Sequence, residues 1–201
     1  RITVLGIASF VMSFTDTLVQ VACNATLRNF GGDLYISVMT VLNSVRQIAQ
    51  TPVLAIADGA STAISYNYGA RLYRRTRDAI RFMTQLAFGY TALSWLLISL
   101  FPAAFIRIFN QDAAMLRAAI PSLHIYFFGF VMMAFQYSGQ STFKSLNRAG
   151  FAVFFSLLRK AFIVVPLTLV LPRVAGLGVN GVFAAEPISN LIGGLACYIT
   201  M

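Results

Sequence analysis

Charge is scarce in this sequence, and acidic charge most of all. Only 10% of its 201 residues are charged, and 58% are hydrophobic. The charged residues comprise six acids and fifteen lysines and arginines. A soluble domain carries about 25% charged residues. The composition therefore excludes an ordinary soluble domain and indicates a polytopic membrane protein, which we predict to be all-α.

Residues suited to enzyme chemistry are also few. The chain has one histidine and two cysteines, and both Cys23 and Cys197 lie in apolar segments without metal or redox spacing. The sequence shows no paired nucleophile and base, no cluster of metal ligands and no glycine-rich phosphate loop. We expect the cysteines to be small packing residues, and we expect neither an enzyme nor a bound cofactor.

The basic residues lie mainly in short connections between apolar segments. The net charge is +9, but this placement is typical of topology signals rather than of a nucleic-acid surface. The densest cluster comprises Arg71, Arg74, Arg75, Arg77 and Arg81. It marks the cytoplasmic side and predicts a multi-pass protein of the plasma (inner) membrane, with both ends of this chain in the cytoplasm.

The apolar runs predict six membrane spans. They cover approximately residues 2–27, 35–70, 82–108, 121–143, 151–171 and 181–201. Gly31 and Gly32 predict a tight turn between the first two spans, and Pro52 is the expected bend in the second. Because the chain begins with Arg1 and ends within an apolar run at Met201, we expect it to be a fragment of a longer protein.

The second span carries about one polar residue per turn along a single face. The set comprises Thr40, Asn43, Gln47, Thr51, Asp58, Ser61 and Ser65. Such a face cannot contact lipid, since polar groups in hydrocarbon lack partners and a carboxylate there is costly. It either holds the helices together by hydrogen bonds or lines a pathway. So many polar turns together with an acid favour the pathway.

The first span carries an acid, Asp16, near its middle, with Gln20 and Asn24 on the same face. A carboxylate in this position takes a proton, binds a cation such as Na⁺, or pairs with a base. Arg46 on the next span is the expected base if it pairs. Asp16 is the leading candidate for an ion site, and Asp58 is the second.

The later spans add a third polar face and three isolated charges. Met133, Gln136 and Gln140 align on the fourth span and predict a cavity lining. In the fifth span we expect the helix to start below the membrane, or the consecutive Arg159 and Lys160 to extend to the cytoplasmic headgroups. In the sixth we expect Glu186 to be a cap near the outer end of its helix rather than an ion site.

Several segments together resemble a known transporter family. After Pro52 and Gly59 come, in order, SYNYGARLYRRTR, FKSLNRAG, SLLRKAFIVVPLTLVLP and GLGVNGVF. This series resembles the C-terminal half of a multidrug and toxic compound extrusion (MATE) transporter, and the resemblance covers nearly the whole chain.

The resemblance implies a twelve-helix exporter made of two six-helix lobes, with this chain as the C-terminal lobe. A central cavity between the lobes alternates between outward-open and inward-open states. The implied partners are the missing N-terminal lobe, the lipid bilayer, and small organic cations or drugs expelled against Na⁺ or H⁺. It also implies an ion-coupling role for Asp16. Gln136 stands where similar members carry a second acid, so either Asp58 compensates or the coupling acid lies in the other lobe.

Two other functions remain open. Flippases of lipid-linked precursors share a similar architecture, but they need basic residues in the cavity, and Arg46 is the one expected there. A non-transporting membrane scaffold is the second alternative, and it predicts that removing Asp16 and Asp58 together is harmless.

Overall fold

The computed structural model describes the backbone of residues 2–174 and 176–201, and the side chains of residue 10 and residues 13–174 and 176–201. The helices are α1 (Ile2–Gly69), α2 (Tyr73–Leu100), α3 (Pro102–Arg107), α4 (Ala113–Phe127), α5 (Met133–Ser145), α6 (Ala149–Leu157), α7 (Val165–Val170) and α8 (Val179–Thr200). A 3₁₀ turn (Phe130–Met132) precedes α5, and a π-helical segment (Leu158–Val164) joins α6 to α7. These described residues contain no strand, which confirms the predicted all-α fold.

A single glycine divides α1 into two arms, residues 2–31 and 33–69. Gly32 has φ 69° and ψ −167°, a conformation that glycine adopts without steric cost. The turn therefore lies where the sequence predicted it. Pro52 lies inside the second arm, and within the described part of α1 the helical dihedrals are broken at Gly32. The bend at Pro52 stays a prediction.

The helix after the arginine cluster begins earlier than predicted. Residues 70–72 alone connect α1 to α2, whose first residue is Tyr73 rather than Phe82. Most of the clustered arginines are thus helical, because a helix longer than the hydrocarbon core continues into the headgroup region. At the other end, α2 stops at Leu100 and Pro102 opens the short α3. The predicted span at 82–108 is therefore two helices.

The fourth predicted span is one bent pair of helices. α4 and the segment 130–145 meet at an angle of 42°. The bend follows Gly129, where an added Cβ would lie 2.7 Å from both the Cα and the carbonyl oxygen of Pro187. The backbone of α8 therefore packs directly against the bend, and a larger residue has no room there.

The fifth predicted span also departs from regular α geometry. Pro166 opens α7 directly after the π-helical segment, and proline cannot donate the backbone hydrogen bond of a continuous α-helix. The π-helical segment thus lies directly before this proline, at a place where the sequence predicted a regular span. That segment contains Arg159 and Lys160.

Among the described residues, three helices are long and apolar enough to cross a membrane: Tyr73–Leu100, Ala149–Val170 and Val179–Thr200. The bent pair makes a fourth if it is one span. The six predicted spans correspond in order to the two arms of α1, then α2, α4 with α5, α6 to α7, and α8. Large exposed apolar side chains, including Phe82, Phe154 and Ile199, are suited to contact with lipid.

The main hydrophobic core joins both arms of α1 to α4 and α8. Leu27, Leu42, Leu123 and Phe183 are fully buried in it. This core holds α4 and α8 against both arms of α1, on either side of the turn at Gly32.

Replacing Gly129 by alanine tests the packing at the bend. Because the new methyl group would meet backbone atoms of Pro187, we expect a loss of about 1–3 kcal/mol in the free energy of unfolding. Thermal unfolding of the purified full-length protein in detergent measures it. The matched control is Gly150→Ala, where nothing lies within 4 Å of an added Cβ. Equal stability of the two variants would contradict the packing described here.

Candidate functional site

Two adjoining pockets lie between α1, α5, the π-helical segment and α8. The first, of about 250 Å³ and here called the arginine pocket, includes Arg46 and Glu186 in its lining. The second, of about 280 Å³ and here called the glutamine pocket, includes Gln136 and Gln140. The two pockets share Asp16, Gln50, Tyr137, Arg159 and Lys160. They therefore form one continuous polar region between these helices.

The centre of the arginine pocket is a carboxylate held by two arginines. Oε1 of Glu186 lies 2.9 Å from Nη1 of Arg46 and 3.0 Å from Nη1 of Arg159. The same Nη1 of Arg159 donates to Oδ1 of Asn190 at 2.6 Å. Arg159 and Glu186 are 4% and 8% exposed, so this network is buried. It links three helical elements, since the two arginines come from α1 and the π-helical segment and the acid comes from α8.

A chain of neutral polar groups extends the network along α1. Nη1 of Arg46 donates to the Tyr126 hydroxyl at 2.8 Å, and that hydroxyl donates to Oδ1 of Asn43 at 2.9 Å. The guanidinium carbon of Arg46 also lies 5.9 Å from the centre of the Tyr126 ring, within cation–π range. Arg46 is thus held in one orientation by an acid, a hydroxyl and a ring.

The amide side chains of the second arm of α1 form a separate group. Gln50 donates to Oε1 of Gln47 at 2.9 Å and accepts from the Tyr137 hydroxyl at 3.3 Å. Gln50 and Tyr137 border both pockets. Neutral donors and acceptors therefore stand where the two pockets meet.

Asp16 pairs with Lys160, not with Arg46. Nζ of Lys160 lies 2.5 Å from Oδ1 of Asp16, and the side chains are 11% and 53% exposed respectively. The predicted partner, Arg46, is wrong because Glu186 already holds that guanidinium. The acid is accessible and the ammonium is mostly enclosed, so a solute in the pocket reaches Asp16 more easily than Lys160.

The expectations for Arg159, Lys160 and Glu186 are also corrected. Both basic side chains are buried and face the pockets rather than the headgroups. They stand near the middle of the 22-residue helical run from Ala149 to Val170, about 16 Å from either end at 1.5 Å per residue. Glu186 is the acceptor for two arginines and lies well inside α8, so it is not an N-terminal cap.

The structure brings most of the predicted site residues together, but not all. Asp16, Gln20, Asn43 and Gln47 line the arginine pocket. Asp16, Asp58, Gln136 and Gln140 line the glutamine pocket. Asn24 and Thr51 are exposed and belong to neither lining. Met133 is 2% exposed in the hydrophobic core beside Phe130, so the predicted cavity role is wrong for this residue.

The residues that the sequence analysis missed carry a recognisable signal. Arg159, Lys160 and Glu186 are charged residues inside apolar runs, and such charges usually pair with one another in the membrane. An ion pair between Glu186 and one of these two basic residues, if predicted from the sequence, would have identified the same pocket. Gln50 lies three residues after Gln47, so the 3–4 spacing of the predicted stripe admits it as well as Thr51.

Neutralising Glu186 tests how far the network depends on its acid. In Glu186→Gln two buried guanidinium groups lose their countercharge, and we expect a loss of about 3 kcal/mol or more in the free energy of unfolding. The double variant Glu186→Gln/Arg159→Gln also removes one of the two guanidinium groups, and it should recover part of the lost free energy of unfolding. Thermal unfolding of the full-length protein checks both variants. The exposed Asp33→Asn serves as control, and equal unfolding of Glu186→Gln and this control would contradict the role of the network.

Comparison with known proteins agrees with this architecture. A family model described as MatE matches residues 8–170. A comparison with curated proteins gave no match. The fold is similar to that of an outward-facing multidrug resistance MATE family transporter of the MOP superfamily, with a TM-score of 0.91, 17% identity, and coverage of 97% of this chain and 44% of the other.

Two further solved structures have the same fold. The inward-facing conformation of a multidrug resistance MATE family transporter gives a TM-score of 0.89 at 17% identity, covering 97% of this chain and 45% of the other. A MOP superfamily transporter from Pyrococcus furiosus gives 0.91 at 17% identity, covering 97% and 44%. The chain thus spans less than half the length of these proteins. Since the family model covers most of the sequence and the fold agrees, this chain belongs to the MatE family, that of the multidrug and toxic compound extrusion transporters.

Proposed function

We propose that the full-length protein is a secondary transporter of the plasma membrane that exports small molecules by alternating access, in exchange for Na⁺ or H⁺. The observation that carries this proposal is the accessible Asp16–Lys160 pair in a polar pocket at mid-span. Charged groups inside membrane spans are costly and usually mark ion or substrate pathways. The family and the fold support transport as the general function.

The Asp16–Lys160 pair provides a way to couple an ion to a conformational change. A proton or a sodium ion that binds Asp16 competes with the ammonium of Lys160, because one carboxylate compensates one positive charge most favourably. Binding of the ion releases Lys160 from α1, and loss of the ion restores the contact between α1 and the π-helical segment. An ion can shift the inward-open and outward-open populations only if it binds the two states differently, and this contact supplies such a difference.

If the coupling ion is sodium, the protein transports it and does not keep it as a bound metal. Amide oxygens of Gln20, Asn43 and Gln47 line the same pocket as Asp16, and oxygen ligands suit a hard cation. Within the described part of the chain, no group of three histidine, cysteine, aspartate or glutamate side chains is placed to hold a metal. Asp58 lines the glutamine pocket and is the second candidate coupling acid.

A second candidate is the flippase of a lipid-linked precursor, and one observation favours it. Arg46, Arg159 and Lys160 all line the arginine pocket, whereas the sequence analysis counted Arg46 alone. Basic side chains suit a phosphate group. The similar Pyrococcus furiosus structure is itself described by the reverse polarity of its binding pocket, which suggests a different function for that transporter. The organic-cation cargo implied by the family resemblance remains a prediction.

Separate substitutions of Asp16 and Lys160 test whether this pair couples ion binding to transport. In Asp16→Asn we expect gradient-driven efflux to fall at least about tenfold, because the coupling ion loses its carboxylate. In Lys160→Gln we expect half-maximal coupling at a lower ion concentration, because the competing ammonium is gone. The measurement is efflux of a fluorescent dye from liposomes that contain the full-length protein, under sodium and proton gradients imposed separately.

The exposed Asp33→Asn is the matched control, since it removes the same charge elsewhere. Efflux driven by either gradient and abolished in Asp16→Asn identifies the coupling ion. If neither gradient drives Asp16-dependent efflux from a folded and inserted protein, the exporter proposal fails. Translocation of a lipid-linked substrate in the same liposomes would then support the flippase.

A further inference from the structure

We propose that the arginine pocket binds an anionic group, a carboxylate or a phosphate, on the transported molecule, with Arg159 and Arg46 as its main ligands. This inference rests on the proposed transport function and names the chemical class of the cargo. It differs from the organic cation that the family resemblance implies.

The first step is the balance of charge around the two pockets. Among the described side chains that line the arginine pocket, the acids are Asp16 and Glu186, and the bases are Arg46, Arg159 and Lys160. Two carboxylates therefore lie among three basic groups, and one positive charge remains without a countercharge. The glutamine pocket adds one acid and one base, Asp58 and Lys144, and both are exposed. A buried net charge is costly, so an anionic partner stabilises it.

The second step locates the excess charge on the arginines. Asp16 compensates Lys160. Both guanidinium groups, in contrast, share the single Oε1 atom of Glu186. One carboxylate cannot neutralise two guanidinium groups, so the uncompensated charge next to the pocket is that of Arg46 and Arg159.

The third step is that these arginines keep unused hydrogen-bond capacity. Within the described residues, Nε of Arg46 and Nε of Arg159 are buried and have no acceptor. An unsatisfied buried donor costs about 1–3 kcal/mol. The edge formed by Nε and Nη of a guanidinium is the one that binds a carboxylate or phosphate with two parallel hydrogen bonds. The contacts of the two arginines with Glu186, Tyr126 and Asn190 all use Nη1, so the donors of the Nε edge are not used by them.

The fourth step concerns how Arg159 is held. An added Cβ at Gly193 would lie 2.9–3.1 Å from the Cβ, Cγ and Cδ atoms of Arg159. Glycine at this position of α8 leaves space for the aliphatic part of the arginine, and Asn190 one turn earlier fixes Nη1 at 2.6 Å. The fold thus accommodates a positive charge in the middle of the lobe.

The surroundings of the arginines suit a solute rather than a fixed protein group. The arginine pocket has about 250 Å³ of space, and its lining includes Gln47, Gln50 and Tyr137, which are neutral hydrogen-bonding groups. An anionic head would lie against the arginines, and the amides would bind the rest of the molecule. An organic cation in the same place would meet an excess of positive charge.

The test compares two dyes that differ in charge on the full-length protein in detergent. We expect carboxyfluorescein to bind more tightly than ethidium, measured by fluorescence polarisation. In Arg159→Gln the affinity for carboxyfluorescein should fall at least about tenfold, and in Arg159→Lys, which keeps the charge but loses the two-pronged geometry, it should fall less. The matched control, the exposed Arg117→Gln, should bind as the unmodified protein does.

A second variant separates the guanidinium group from the net charge. In Arg159→Gln alone, Glu186 still pairs with Arg46, so this variant should fold, and thermal unfolding checks that it does. Glu186→Gln/Arg159→Gln removes one acid and one base together, so it keeps the net charge of the pocket, yet it should also bind carboxyfluorescein weakly. Preferred binding of ethidium, or unchanged carboxyfluorescein affinity in both Arg159 variants, would overturn the anion site. Gradient-driven efflux of ethidium would in that case leave the transporter proposal standing.

Competition then distinguishes the two sources of the anionic group. In nanodiscs, displacement of carboxyfluorescein by phosphatidic acid but not by phosphatidylcholine would assign the site to a lipid headgroup. Displacement by a soluble phosphate ester alone would assign it to a soluble cargo. Both results support an anion site, whereas dye binding that neither competitor reduces would contradict it.

Discussion

The structure depends on the compensation of charge in a place where water is scarce. Glu186 holds two arginines from different helical elements, and Asp16 holds a lysine from the same element as one of those arginines. Each pair joins helices that are far apart in the sequence. In hydrocarbon, the cost of leaving such groups unpaired is large, so these contacts fix how the helices of the lobe pack around the pocket. The glycines of α8 and the bend at Gly129 provide the close approach that these contacts require.

Much of the fold could be predicted from the sequence because its signals are local. Apolar runs predicted the order of the main helices, and the glycines predicted the break at Gly32. Helical spacing likewise placed Asn43 and Gln47 on the face that borders the pocket. The π-helical segment could not be predicted in this way, because its pattern of apolar residues resembles that of an ordinary helix. The start of α2 was missed because charged residues at the end of a membrane helix look like a loop.

The candidate site could be predicted only in part, for a different reason. Asp16 was identified from its position alone, but the choice of Lys160 over Arg46 as its partner depends on how distant helices are rotated against each other. Met133 has the same spacing as Gln136 and Gln140, yet the bend before α5 turns it into the core. Spacing along one helix therefore predicts which residues share a face, while tertiary packing decides what that face contacts.

The π-helical segment has a consequence for the evolution of this lobe. A π turn contains more residues than an α turn, and it is energetically less favourable. Loss of a single residue from this segment would restore regular α geometry and leave the parts of the helix on either side in nearly the same orientation, because the wider turn holds the extra residue. Side chains within the segment would change direction by up to about 100°, and Arg159 and Lys160 lie within it. A change of one codon in length, with no substitution in the pocket itself, could thus remove a basic group from the pocket while every other helix kept its place.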